Sequence, residues 1–279
     1  MAMDGGTMTT TGPTEVDLEV LTRLPEGPAR ATPLLFIHGA FSAAGIWKPY
    51  FLPYFARHGY AAHALSLRGH GRSAGREDLA STRLRDYVDD VAAVASRLPA
   101  PPVVIGTSLG GIVAQWYLHR EPVPAAVLLA SGPPHGMVPS TINMLMFNPK
   151  LVWDMTLMQW VGPEVATVDS ARRALFRADT PDDYIRRFLP DAGPESPLAM
   201  LDVMGFDLPP SRRLLEVPVL VLGGEADAFI PPQAVEATAG TYGTQAEIFP
   251  GMPHAMMLDP EWERVAERIL AWLEATLPA

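Results

Sequence analysis

Two kinds of hydrophobic spacing alternate along this chain. Leu34–Ile37 is an unbroken apolar run, the pattern of a strand covered on both faces, and residues 60–67, Val103-Val104-Ile105, residues 125–130 and residues 217–222 read as further strands. Residues 16–22 instead alternate apolar and polar, which predicts an antiparallel edge strand with one wet face, and residues 245–249 read as a short last strand. Between the strands the period lengthens to that of a helix. Residues 46–58 read as one helix with an irregularity at Pro53, and residues 86–98 carry an apolar stripe of Val88, Val91, Ala92, Ala95 and Leu98. Residues 232–239 predict another helix, and residues 261–277 a last one, capped by Asp259 with Pro260 in its first turn. Strictly alternating strands and helices point to an α/β fold with a mostly parallel sheet and right-handed crossovers.

The alternation stops between about residues 136 and 210, where the pattern is helical throughout. Thr180-Pro181-Asp182-Asp183 reads as an N-cap, a proline in the first turn and an acidic start, and Ser196-Pro197 repeats the signal. Seven of the thirteen Met lie in this stretch. From Leu151 to Val161 apolar residues fall nearly all round a helix, which predicts no wide solvent face.

Composition narrows the chemistry. The 279 residues are 48% hydrophobic, enough for a large core, and the net charge of −10 with 19 Arg and only 2 Lys offers no basic patch for nucleic acid and no attraction to anionic membranes. There is no Cys, so thiol catalysis and Cys-ligated metal are excluded, and the seven His are dispersed rather than set at ligand spacings; no cofactor or metal is expected. Residues 1–15 lack the positive start and apolar run of a signal peptide and read as a disordered leader. No apolar stretch approaches the roughly 18 residues of a membrane span, which predicts a soluble, cytoplasmic protein. Oligomeric state is not legible.

The chemistry gathers at strand ends. Val103-Val104-Ile105 runs into Gly106-Thr107-Ser108-Leu109-Gly110 and then into a helical segment: strand, sharp turn, helix, with a serine at the bend. Glycines at 106 and 110 suit a turn so tight that the serine itself is strained, and the free N–H groups of the following helix start form an anion site beside it. Two later strand ends carry Asp227, in Gly223-Gly224-Glu225-Ala226-Asp227, and His254, in Pro250-Gly251-Met252-Pro253-His254. A serine hydroxyl is a weak nucleophile unless an imidazole takes its proton and a carboxylate orients the imidazole, and these three residue types supply those roles. Glu225 stays open as a rival to Asp227, and His254 as a packing histidine, although it is the only His after Asp227. The loop Arg68-Gly69-His70-Gly71-Arg72-Ser73 lacks the spacing of a phosphate-binding loop and reads as a structural turn.

Taken together, His38-Gly39 after an apolar strand, the 68–73 loop, Gly-Thr-Ser-Leu-Gly-Gly at 106–111, residues 223–227 and residues 250–254 resemble the α/β-hydrolase superfamily, in particular its capped, lysophospholipase-like serine esterases. The resemblance spans residues 34–277 and implies an α/β-hydrolase fold, with a mostly parallel central sheet flanked by helices and a helical cap inserted after the sixth strand. The core would comprise residues 16–135 and 211–279, the cap 136–210. It further implies Ser108 as nucleophile, Asp227 as acid, His254 as base, and an oxyanion hole built from the backbone N–H groups of Ala40 and Leu109. Many relatives carry Asp two residues before the Arg-Gly-His-Gly loop, where this chain has Ser66. His38, His70 and His135 read as structural or pocket-lining.

The expected reaction is cleavage of a hydrophobic carboxylic ester through an acyl-enzyme. The Met, Trp and Phe of the insert suggest a lid over an apolar site for an uncharged ester or lactone. Lactone or thioester hydrolysis is the alternative, with carbon–carbon bond hydrolysis, a perhydrolase side activity or a small-molecule receptor further off.

Overall fold

The computed structural model describes residues 16–210 and 217–277; the leader expected at 1–15 lies outside the described residues. Seven strands form one sheet: β1 (Val20–Arg23), β2 (Leu34–Ile37), β3 (Ala62–Leu65), β4 (Val103–Thr107), β5 (Ala126–Leu129), β6 (Val219–Gly224) and β7 (Ala246–Phe249), in the spatial order β1-β3-β2-β4-β5-β6-β7. Among the described residues only β1 is antiparallel, pairing Val20 with Leu65. The other five pairings are parallel, as the apolar runs require.

Side chains of β2 alternate between two cores. Leu34 and Phe36 enter one with α1 (Phe51–Arg57) and α10 (Trp262–Thr276). Leu35 and Ile37 enter the other with α2 (Leu84–Ala95), α3 (Leu109–Leu118) and α9 (Pro232–Tyr242). Helices thus cover both faces of the sheet. The insert lies between β5 and β6 and contains α4 (Val138–Phe147), α5 (Pro149–Trp160), α6 (Val168–Leu175), α7 (Asp182–Arg186) and α8 (Pro197–Leu201). Among the described residues only β1 precedes β2, so the insert follows the fifth strand, not a sixth. No helix among them is long and apolar enough to cross a membrane.

Local departures from expectation have local causes. The helix read over 46–58 is two: a 3-10 turn at Ala44–Trp47 and α1, broken at Tyr50 (φ −129°) just after Pro49. Pro53, the expected irregularity, sits third in α1, where an N–H has no intrahelical acceptor to lose. Thr180 does not cap α7; Pro181 occupies the cap position, and among the described residues the buried Thr180 hydroxyl meets no hydrogen-bond partner. Ser196 does cap α8, its Oγ accepting from Ala199 N at 3.1 Å. Asp259 serves the start of α10 from just outside, Oδ1 accepting from Glu261 N at 2.8 Å, while Glu261 takes the cap position. α5 has the solvent face its composition argued against: Trp153 and Trp160 are 62% and 79% exposed, because no further layer packs outside it.

Three carboxylates buried at the boundary pin the insert to the core. Asp259, fully buried, receives Arg177 of the insert through both guanidinium arms, at 2.8 and 2.9 Å. Asp202 of the insert, also fully buried, receives the Arg83 guanidinium and, at 3.0 Å, the first N–H of α2 from Leu84. Glu195 is the third.

Candidate active site

Ser108 sits alone between the end of β4 and the start of α3, at φ 53° and ψ −120°, a conformation that costs a residue with a side chain about 1–3 kcal/mol. The surrounding backbone imposes it. Ser108 N donates to Leu129 O at 3.2 Å, and Ser108 O accepts from Gly111 N and Gly132 N at 3.0 and 3.1 Å, which ties the bend to β5 and the segment after it. A Cβ at Gly106 would lie 2.3 Å from the Gly110 carbonyl oxygen, and one at Gly110 would lie 2.2 Å from that of His38. Both contacts are far inside van der Waals distance, so each glycine is required by its neighbour's backbone. Leu109 opens α3, where its N–H has no intrahelical acceptor, and it borders the same cavity as Ser108.

Asp227 follows β6. One carboxylate oxygen, Oδ1, accepts from Phe229 N and Ile230 N at 2.8 and 2.9 Å, which fixes the plane of the group; the other, Oδ2, meets His254 Nδ1 at 2.7 Å. A carboxylate only accepts, so Nδ1 carries the proton and Nε2 is the nitrogen left for the cavity. Glu225, the rival acid, instead accepts from Gly251 N at 2.9 Å on the surface. His254 is buried, packs edge-on against the Phe229 ring at 4.8 Å, and lines the same cavity as Ser108. Among the described residues, no hydrogen bond within 3.5 Å joins the serine hydroxyl to the imidazole; what unites them is the shared cavity wall. Such bonds are often long before substrate arrives.

The cavity measures about 240 Å³ and its wall is almost wholly apolar. Gly39, Ala40, Ser108 and Leu109 form its floor, and the insert forms much of the rest, with Met137, Met144, Met155, Met158, Met200 and Met204 among the lining. Asp154 is the one acidic residue of the insert in the lining, and Arg173 pairs with it at 2.5 Å.

Behind the loop that carries Ala40 lies a buried polar cluster that the sequence reading missed in part. His38 Nε2 accepts from Leu67 N at 3.0 Å and Nδ1 donates to Gly39 O at 2.8 Å, so the ring is neutral. Complete burial, reinforced by the neighbouring His70 charge, pushes its pKa down to about 3. His70 faces acceptors at both nitrogens: Arg68 O at 3.0 Å and the Glu195 carboxylate at 3.2 Å. Burial disfavours its charge, but Glu195 outweighs burial and holds the imidazolium pKa above the ordinary histidine value. Burial likewise acts to raise the Glu195 carboxyl, yet His70 and the hydrogen bonds it receives keep it below the usual carboxylate range. Those bonds include Tyr87 Oη at 2.6 Å, Ser196 N at 2.7 Å and Phe41 N at 3.3 Å. Glu195 stands between two prolines with no apolar period around it, so nothing local marked it as more than a surface acid. His135, by contrast, is exposed and lines nothing.

Ser66, where many relatives have Asp, borrows a carboxylate from elsewhere. Its hydroxyl donates to Glu19 Oε2 at 2.9 Å and accepts from Ala44 N at 3.0 Å, while Glu19 also receives Arg72 N and Nε at 3.0 and 2.7 Å. The 68–73 loop is thereby held as a structural turn.

Comparison with known proteins fits this arrangement. The model of the alpha/beta hydrolase family matches residues 34–268. The chain is 28% identical over 274 residues to a bifunctional esterase/perhydrolase of Acinetobacter calcoaceticus, covering 89% of this chain and 94% of that one. It is 30% identical over 262 residues to a non-heme chloroperoxidase of Streptomyces lividans, covering 83% and 88%. A thermophilic esterase from Thermogutta terrifontis superposes with a TM-score of 0.72 at 22% identity, over 96% of this chain and 97% of that one.

Proposed function

The chain belongs to the alpha/beta hydrolase family and is an ester hydrolase, and from that premise we propose that it cleaves small hydrophobic carboxylic esters by a serine mechanism. One observation carries the reading: the His254–Asp227 hydrogen bond leaves Nε2 for an apolar cavity whose floor is a strained, elbow-borne serine. Ser108 Oγ attacks the ester carbonyl carbon while His254 Nε2 takes its proton, and Asp227 stabilises the imidazolium through Nδ1. The carbonyl oxygen, now negative, is received by the N–H groups of Ala40 and Leu109. Collapse of the tetrahedral intermediate breaks the bond to the alcohol oxygen, which takes the proton from His254. Water, deprotonated by the same imidazole, then frees the acid from the acyl-enzyme.

The cavity sets the substrate class. With the Asp154 charge met by Arg173, the wall offers an incoming acyl or alcohol group mainly methionine, phenylalanine and aliphatic carbon, so charged esters bear an uncompensated desolvation cost. A volume of about 240 Å³ falls below the roughly 300–1,000 Å³ of pockets for drug-sized ligands, which favours short to medium chains. The insert serves as the lid, and methionine makes that wall adaptable. Steady-state assay of p-nitrophenyl acetate, butyrate, octanoate and palmitate, with a lactone and a thioester alongside, on the wild type and Ser108→Ala tests the reading. Turnover greatest at butyrate to octanoate and abolished in the variant is expected. Turnover that survives Ser108→Ala, or greater rates on the thioester or lactone, overturns the serine role or the substrate class respectively.

A further inference from the structure

The backbone at Phe41 is gripped from the insert on both sides. Phe41 N donates to Glu195 Oε2 at 3.3 Å, and Phe41 O accepts from Gly193 N at 2.9 Å. Phe41 needs holding, for it has φ 58°, a region that a side chain bearing Cβ rarely adopts. It follows Ala40 directly in the loop after β2, and both residues line the cavity beside Ser108.

The Glu195 side chain that makes one half of this grip is fully enclosed and has four donors on its two oxygens. Tyr87 Oη and Ser196 N take Oε1; His70 Nε2 and Phe41 N take Oε2. These donors come from α2, the 68–73 loop, the loop after β2 and Glu195's own neighbour, so the carboxylate is a junction where insert and core meet. A neutral acceptor of the same shape could not satisfy all four. The His70 charge in turn accounts for a buried carboxylate remaining ionised at this spot.

We propose that Glu195 is a positioning residue for the oxyanion hole: together with Gly193 it sets the backbone of Phe41 and so aims the preceding Ala40 N–H at the cavity. The proposal rests on the serine-esterase reading given above and extends it, since it makes the hole a joint product of core and insert. An oxyanion donor acts only once charge has developed on the carbonyl oxygen. Loss of aim therefore lowers kcat and the affinity for a tetrahedral mimic, and leaves ground-state binding unaltered.

Three variants separate this from a merely structural role. Glu195→Met removes the acceptor. Gly193→Pro removes the opposite donor without touching the buried ion pair, and the extended backbone of Ala192 (φ −69°, ψ 133°) tolerates a following proline. Tyr87→Phe takes a donor from the far oxygen and is the structural control. Kinetics on p-nitrophenyl butyrate, the Ki of butylboronic acid and thermal midpoints are measured for each. In Glu195→Met and Gly193→Pro, kcat is expected to fall by about tenfold or more with KM within about twofold, and the boronate Ki to rise in step. Tyr87→Phe is expected to melt earlier with kcat retained. If Glu195→Met does not fold, Gly193→Pro decides. A folded Gly193→Pro with wild-type kcat and boronate affinity overturns the proposal, as does an equal kcat loss in Tyr87→Phe. An inert wild type overturns the esterase reading and this proposal with it, whereas an active wild type with indifferent variants overturns this proposal alone.

Discussion

His38 and His70 lie with ring centroids 5.0 Å apart in opposite protonation states. One ring accepts a backbone N–H and must be neutral; the other meets only acceptors and must be charged. The pair splits because Glu195 hydrogen-bonds one ring and not the other, and the His70 charge then adds to burial in keeping His38 neutral.

This split fixes the acid limb of stability. The folded value for His38, about 3, lies below its ordinary 6.5, so its contribution is complete above pH 6.5 and is lost as pH falls toward 3. The His70–Glu195 pair behaves otherwise. Glu195, held low, contributes above its ordinary 4.5, and His70, held high, contributes below 6.5, so between those values the pair adds no slope. Glutamine at 38 can accept from Leu67 N and donate to Gly39 O without titrating. His38→Gln is therefore expected to flatten the fall of the urea midpoint between about pH 6.5 and 4.5, with a residual slope from His63 and His119, whose burial also holds them low. A variant whose midpoints run parallel to the wild type contradicts the assignment.

The two acids near the end of β6 should behave unlike one another. Asp227→Asn can no longer hold the imidazole in the required tautomer, and a loss of about 10⁴-fold in kcat is expected by analogy with other serine triads. Glu225→Gln keeps an acceptor for Gly251 N and should stay within about twofold of wild type. Reversal of this order in ester hydrolysis would reassign the acid.

Gly110→Ala would press a methyl group into the His38 carbonyl oxygen at 2.2 Å. Backbone cannot yield as a side-chain tip does, so a stability loss of about 1–3 kcal/mol or more is expected, read by urea titration. A neutral Gly110→Ala would show that the elbow is looser than described.

Arg177→Met leaves the buried Asp259 charge with one backbone donor, Glu261 N. Breaking such a pair typically costs about 3–5 kcal/mol, and the partial exposure of Arg177 places the expectation near the low end. The double variant Arg177→Met/Asp259→Asn should recover part of the loss, because the stranded charge is gone; no recovery in denaturant titrations would mean that packing, not charge, is what Arg177 supplies.

How much of this was legible in the chain depended on whether the cause was local. Leu34–Ile37 and the runs ending at Gly106 and Gly224 are apolar at every position because both faces are covered, and their burial inside the sheet follows directly, though their order across it does not. The elbow was legible because sterics demand glycine there. The choice between Asp227 and Glu225 was not, since both sit on one turn and only the fold decides which faces His254. Glu195, Asp202 and Asp259 were illegible as anchors: their partners lie tens to more than a hundred residues away, and a buried acid looks like a surface acid until its arginine or histidine arrives. The exposed outer side of α5 escaped because apolar character all round a helix does not say which sides find partners.

Adjacent strands β5 and β6 flank the whole insert, and Ser108, Asp227 and His254 all lie outside it. Evolution could therefore exchange the covering helices wholesale, altering which molecules are admitted while the three residues proposed for catalysis stay in place. Such a graft would succeed only if the newcomer brought its own buried acid to the spot where Phe41 and His70 wait for one.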